Sequence, residues 1–345
     1  MKKFTKPMLL MLCLMLTLTG CINGKNGEDN TKDSLEAYIQ SGENTKYVYD
    51  GQGSEYAGFE SWVDYKSDGS LQLRVNNSGT EAVSVYKVEA GKLIVSFRQA
   101  ETYHRENFLS SQSNSNEVIL MEPIQKGTAW TLESGEERSI TDVDVEVATP
   151  SGTYKAVEVT TKYTDSTTKE YYVKGIGLVK SIFIGSDGFE VTSSLSSVEK
   201  DAKVKHEILM YYPNVEQDKY FYKEATLEFL TNDEPEAIIE KAYKENKPEN
   251  VDSVLSENSS LNKFSFEPST GIVKLDMNKA FLDEMEGSSY ESMILQCLSA
   301  TFGGYCYSDK LTITIDGKPY ESGHVLLDQD NYIQTQIDQE VTEVK

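Results

Sequence analysis

The chain has 345 residues, with 33 basic side chains against 56 acidic ones and a formal net charge of −23. A surface this acidic repels phosphate backbones and anionic headgroups, which excludes nucleic acid as a partner and a charge-driven hold on a membrane surface. The 21 Tyr against two Trp, with frequent Thr, favour strands, and the length suggests about two domains.

At the amino end, Lys2, Lys3 and Lys6 precede an apolar run from Met8 to Thr17. The run is too short for a membrane span, which takes about 20 residues. It closes on Leu18-Thr19-Gly20-Cys21. The basic head, the core length, Leu at minus three and Gly at minus one together resemble the lipobox of bacterial lipoproteins. That resemblance implies a signal peptide over residues 1–20 and a diacylglyceryl group on Cys21, the lipidation site. The chain would then sit, lipid-anchored, on the extracytoplasmic face of the bacterial cell membrane. Two acyl chains hold firmly where a single one binds reversibly. The signal contains three lysines and no acidic residue, so the mature net charge falls from −23 to −26. Residues 21–35 then read as the lipidated cysteine and a polar tether. Ser34 to Ile39 read as a short helix leading into the first domain.

Residues 36–202 read as a β-rich extracellular domain. Leu71, Leu73 and Val75 alternate with Gln72, Arg74 and Asn76, and Val143, Val145 and Val147 alternate with Asp142, Asp144 and Glu146. A period of two means one buried face and one wet face. Turn signals such as Ser67-Asp68-Gly69 and Ser186-Asp187-Gly188 separate about ten short strands, a pattern that fits a large antiparallel sheet, curved or closed. Residues 104–117 lack alternation and read as a mobile loop. Two segments, Gly127 to Leu132 and Tyr171 to Lys180, resemble strand-rich domains of other Gram-positive lipoproteins, some of them likened to half-barrels that carry lipids. The Gly175-Ile176-Gly177 inside the second segment has no helix after it, so it reads as a turn and not a dinucleotide site.

Residues 203–338 change character, and residues 339–345 read as a tail. Glu207 to Tyr212 reads as a strand ended by Pro213, and Ala225 to Leu230 as a second. Asn232 or Asp233 is placed to cap a helix running to Glu245, with Pro235 in its first turn. Phe264 to Phe266 and Ile272 to Leu275 form a hairpin. Ser288 and Glu291 have the spacing of a capping box, and Tyr290, Met293, Ile294, Cys297, Leu298 and Phe302 share one helical face up to Gly303-Gly304. Leu311, Ile313 and Ile315 mark a strand closed by Asp316-Gly317. The strand ending Tyr211-Tyr212-Pro213, then Val273-Lys274-Leu275-Asp276 with Phe281, Gly287-Ser288, Thr301 and Ile315-Asp316-Gly317 together resemble the GerMN domain of sporulation and germination proteins. The resemblance spans about residues 205–335. It departs from the family at Ser253 to Glu257, where a proline-containing segment is usual, and in having a single copy. The fold class expected is therefore α+β: an antiparallel β-rich domain, as a curved sheet or half-barrel, followed by a small α/β GerMN-like domain.

Catalytic chemistry is hard to place. His104, His206 and His324 lie far apart and share no metal-ligand spacing, so neither a metal nor a cofactor is expected. Asp142, Asp144 and Glu146 could pair for acid–base work on a glycan, but the wet side of a strand explains them, and Asp328 and Asp330 read as loop residues. No catalytic residue is nominated. Cys13 lies in the signal, which leaves Cys297 and Cys306 either as a disulfide or as two buried free thiols; both readings stay open. Three functions follow. The first is a non-catalytic envelope lipoprotein whose GerMN-like domain assembles with itself or with an envelope protein, as the resemblance implies. The second is a carrier of lipid or another apolar ligand in the curved sheet. The third is a peptidoglycan-binding or -modifying protein.

Overall fold

The computed structural model describes residues 34–327 and 331–344. Cys21 with its signal, and Asp328 and Asp330, lie outside the described residues.

Twelve strands build the amino-terminal sheet. In chain order they are β1 (Lys46–Gln52), β2 (Phe59–Ser67), β3 (Ser70–Asn76), β4 (Glu81–Glu89), β5 (Lys92–Ala100), β6 (Glu117–Met121), β7 (Ala129–Thr131), β8 (Glu137–Thr149), β9 (Gly152–Lys162), β10 (Ser166–Val173), β11 (Gly177–Gly185) and β12 (Glu190–Glu199). The spatial order runs β6 to β1 and then β12 to β7, with antiparallel pairing throughout. Two hairpin meanders thus meet where β1 pairs with β12, Lys46 opposite Glu199. The two outer strands curl toward each other: the indole of Trp130 on β7 donates to Val118 O on β6 (3.0 Å), and Arg138 on β8 reaches the same carbonyl (3.1 Å). The result is an antiparallel sheet that nearly closes on itself.

A 3₁₀ turn, Leu35–Tyr38, lies in the concavity. Ser34 caps it by accepting from Glu36 N, and Leu35, Tyr38 and Ile39 join the core formed with Leu93, Val159 and Tyr172. Alternation holds along much of the sheet but fails at two places that matter. On β3 both faces are buried: Gln72 and Arg74, expected on a wet face, are 0% and 1% exposed. On β8 the register shifts between Asp142 and Val145, with Asp144 at φ 59°, so the bulge takes Asp142, Asp144 and Glu146 off a common ladder face.

The carboxy-terminal region carries two further sheets. β13 (Val204–Asn214) and β14 (Lys219–Phe229) form a long hairpin, and β21 (Val341–Glu343) adds a parallel strand to β14. The second sheet orders β15 (Leu261–Glu267), β16 (Ile272–Met277), β17 (Lys310–Ile315), β18 (Lys318–Glu321) and β19 (Leu326–Leu327), with β20 (Ile333–Gln334) on β17. Helices α1 (Pro235–Glu245), α2 (Lys279–Asp283) and α3 (Ser288–Cys306) pack against them around one core that includes Tyr212, Phe229, Phe264, Leu275, Ile294 and Phe302. The whole is α+β.

Four local expectations change. Residues of the expected tail form β21, because Val341 packs beside Tyr220 and Val344 N donates to Tyr222 O (2.8 Å). The first residue ahead of α1 is Glu234, which makes no capping bond; Asp233 instead accepts from Leu230 N and Asn232 from Lys66 N, both at 2.7 Å. At α3, Gly287 precedes the helix at φ 89°, and Glu291 is buried and accepts from the Tyr320 hydroxyl (2.7 Å), so no capping box forms. Gly303 does not end α3. A Cβ there would lie 2.3 Å from the Thr335 side chain, so glycine is needed for the close passage of the chain after β20, and the helix runs on to Cys306.

Candidate functional site

The mobile loop that the sequence suggests over residues 104–117 is anchored instead: His104, Arg105 and Phe108 are buried, as is Thr102 just ahead of them. Arg105 joins the two halves of the molecule. Its guanidinium donates to Asp64 Oδ1 (3.1 Å) and Asp64 O (2.7 Å) on β2, and to Leu230 O (2.7 Å) and Asp233 O (2.9 Å) beyond β14. Its guanidinium carbon lies over the rings of Tyr65 and Phe229, 4.7 Å and 5.0 Å from the ring centres. Arg74 takes the other oxygen of Asp64 (2.9 Å) and binds Glu81 and the carbonyls of Thr102 and His104, which pins the loop to β3. Two arginines therefore neutralise one fully buried carboxylate, and each of their other guanidinium nitrogens finds a carbonyl or a second carboxylate. Burial alone would raise the Asp64 carboxyl, but Arg74 and Arg105 outweigh it and the net shift is downward.

Beside this cluster the Tyr305 hydroxyl accepts from Arg105 N (3.0 Å) and can donate to His206 Nδ1 (3.1 Å). Burial first, then the nearby Arg74, lowers His206 to about 3, so the ring is a neutral acceptor. Three further bonds reinforce the seam. Asn44 and Thr231 exchange bonds of 2.9 and 2.8 Å, and Ala202 N donates to Asn44 O (2.9 Å). The junction is a hydrogen-bonded joint, not a linker.

The structure brings His104 and His206 both beside the Tyr305 ring, at 6.5 and 5.8 Å between ring centres, while His324 is exposed in the turn between β18 and β19. Among the described residues no group of three or more His, Cys, Asp or Glu is placed to hold a metal ion, and no helix is long and apolar enough to cross a membrane. Cys297 and Cys306 are both free and buried. They stand on one helix, nine residues apart in sequence. At 1.5 Å rise per residue their Cα atoms are about 13 Å apart, well beyond the roughly 7 Å limit for a disulfide. Burial pushes both thiols well above the ordinary value.

The concavity of the large sheet is largely filled. The 3₁₀ turn leaves two cavities of about 200 Å³ each, both touching Ile39, Tyr86 and Leu93. Small-molecule pockets usually run from about 300 to 1,000 Å³. The deeper cavity also holds charge: Glu117 and Glu170 face it and both pair with Arg138, at 3.2 and 3.0 Å. Burial raises the Glu170 carboxyl; Arg138 opposes this and Glu117 adds to it.

The carboxy-terminal region has two outer strands of interest. The outward amides of β15 are occupied by carboxylates: Leu261 N donates to Glu240 (2.9 Å), Phe264 N to Glu236 (2.7 Å) and Phe266 N to Glu106 (3.3 Å). β13 differs. Tyr211 N donates to Thr301 Oγ1 (3.0 Å), and Pro213 O accepts from Asp252 N (2.7 Å). Those bonds show that odd-numbered residues of β13 direct their backbone groups away from β14. Among the described residues the amides of Lys205, Glu207 and Leu209 have no partner. Beside them lies a groove of about 390 Å³, walled by Gly304, Tyr305 and Tyr307.

Residues 209–321 match the Germane family, described as sporulation and spore germination. The match falls within the span whose motifs resemble GerMN, and the chain carries a domain of that kind. Solved structures that align with the chain include one described as an exported protein with a YmcC-like fold from Bacteroides fragilis. It has 12% identity and a TM-score of 0.29, covering 47% of this chain and 99% of that one. A second, described as a lipoprotein from Parabacteroides distasonis, has 14% identity and a TM-score of 0.29, covering 47% and 97%. The tandem GerMN domains of the sporulation protein GerM from Bacillus subtilis align at 15% identity and a TM-score of 0.28, covering 38% and 46%. No curated protein matches.

Proposed function

We propose that this chain is a non-catalytic, extracytoplasmic lipoprotein, anchored through Cys21, whose carboxy-terminal domain assembles with itself or with another envelope protein in sporulation or germination. The Germane match over residues 209–321 carries this reading. The lipobox supports the location, and the Arg105 joint supports a role for the large sheet as a rigid carrier of the assembling domain. An apolar-ligand carrier is less favoured, since the concavity is occupied by Leu35, Tyr38 and Ile39.

The test is photo-cross-linking in the native cell, with reactive side chains placed at exposed positions such as Tyr307 and Leu326. The expected result is a discrete cross-linked species in the membrane fraction, and palmitate labelling that Cys21→Ala abolishes. A chain that neither self-associates nor retains an envelope protein after cross-linking overturns the assembly reading.

A further inference from the structure

We infer that the free edge of β13, residues 205–209, binds an extended, basic peptide segment of another protein by strand addition. This rests on the assembly reading and names the surface that performs it. An outer strand with unpaired backbone groups is a template for another strand, and proteins normally blunt such edges. Here one outer strand of the domain is blunted and the other is not. Each outward amide of β15 named above meets a carboxylate. On β13 the bonds from Thr301 and Asp252 close only the end at Tyr211 and Pro213. The remaining stretch opens on the groove.

The groove selects its occupant by chemistry. Its charged lining residues are Glu207 and Glu224, with no basic side chain among them. Both are exposed, and they flank Leu209, 41% exposed, and Tyr307, 80% exposed. An incoming strand places alternate side chains on one face. Lysine or arginine on the outer face meets Glu207 and Glu224, which share that face with Leu209, and the intervening apolar side chains meet the wall formed by Tyr305 and the Tyr307 ring. Gly304, with nothing within 4 Å of its Cβ direction, leaves room along the helix wall. A second copy of this chain fits less well, because its net charge of −23 opposes approach.

The test uses the full chain and a labelled hexapeptide that alternates lysine with valine and tyrosine. Binding is followed by fluorescence anisotropy, and amide protection by hydrogen-exchange mass spectrometry. Glu207 and Leu209 amides are expected to exchange fast in the free chain and slowly with peptide. N-methylation of the peptide's alternate amides should weaken binding at least tenfold, as should Leu209→Pro, which removes an amide that bonds nothing in the fold. Glu207→Lys with Glu224→Lys should weaken it several-fold. Equal binding of the N-methylated peptide to the unaltered chain overturns strand addition, whatever the folding of the proline variant. Tighter binding of a glutamate-for-lysine peptide overturns the basic partner. Protection that rises with protein concentration alone assigns the edge to a second copy instead. If the peptide fails while cross-linking still captures an assembly, the edge is wrong and the assembly reading survives.

Discussion

β15 and β13 border the same core and face opposite fates. The β15 edge is closed by three carboxylates that come from two places: Glu236 and Glu240 on α1, and Glu106 on the loop that Arg105 fastens. The β13 edge is closed only at one end. A chain that places three half-buried acids on one edge does not leave another open by neglect of the problem; the difference marks β13 as the side where pairing is tolerated. The closure of β15 also depends on the joint between the two halves, since Glu106 reaches Phe266 only while its loop lies against β3.

The largest way to break this contrast is Arg105→Ala. It strands Asp64 with half its counter-charge and frees the loop that delivers Glu106, and should cost about 3–5 kcal/mol in chemical denaturation. A cost under about 1 kcal/mol would mean that the joint is ornamental. Acid comes next. Above pH 6.5 His206 is neutral in both folded and unfolded chains. Below it the unfolded chain takes a proton that the folded chain refuses until about pH 3, so stability falls with pH across that window. The loss should be roughly 2 kcal/mol by pH 5, and His206→Leu should flatten the slope between pH 6.5 and 5. The downward-shifted Asp64 acts in the same direction, but only below its ordinary carboxylate range.

Smaller effects sharpen the comparison directly. Glu236→Ala and Glu240→Ala should each cost about 1–2 kcal/mol and increase self-association on light scattering, because each uncovers a β15 amide. Glu207→Ala, on the open strand, should change stability by less than about 0.5 kcal/mol. Equal costs at both strands would erase the distinction. The smallest change is the one expected at the thiols. In a chain spanning residues 22–345, Cys297 and Cys306 should resist a thiol reagent in the native state. Both should react after denaturation, with or without a reductant. A reductant-dependent count would contradict the continuous α3 that walls the groove.

Much of the fold was legible. Alternating valines and leucines with glycine-bearing turns announce the meanders, and the order of Tyr-Tyr-Pro, Val-Lys-Leu-Asp and Ile-Asp-Gly announces the second region. The site was less so. Period two assigns Arg74 to water because it reads one strand at a time. The loop that covers the outer face of β3 comes from about 30 residues downstream and shows no pattern of its own. Arg105 in a serine- and asparagine-rich stretch gives no local sign that Asp64, Leu230 and Asp233 surround it. Its one signal is compositional: a lone arginine next to His104 and three residues ahead of Phe108-Leu109, at the start of a polar loop. Gly303-Gly304 misled for a related reason. Glycine next to a helix end usually marks a stop, but here Gly303 admits the neighbouring Thr335, a contact that no local pattern encodes.

The pairing of Lys46 with Glu199 has a mechanical consequence. The polypeptide leaves the large sheet beside the point where it entered, and Ala202 is bonded to Asn44, which is bonded to Thr231. Tension applied between Ser34 and the carboxy-terminal region therefore enters through the 3₁₀ turn held in the concavity and crosses at those bonds and at the Arg105 joint. Most of the twelve strands hang outside that line of force, and the 3₁₀ turn is the first element to be pulled.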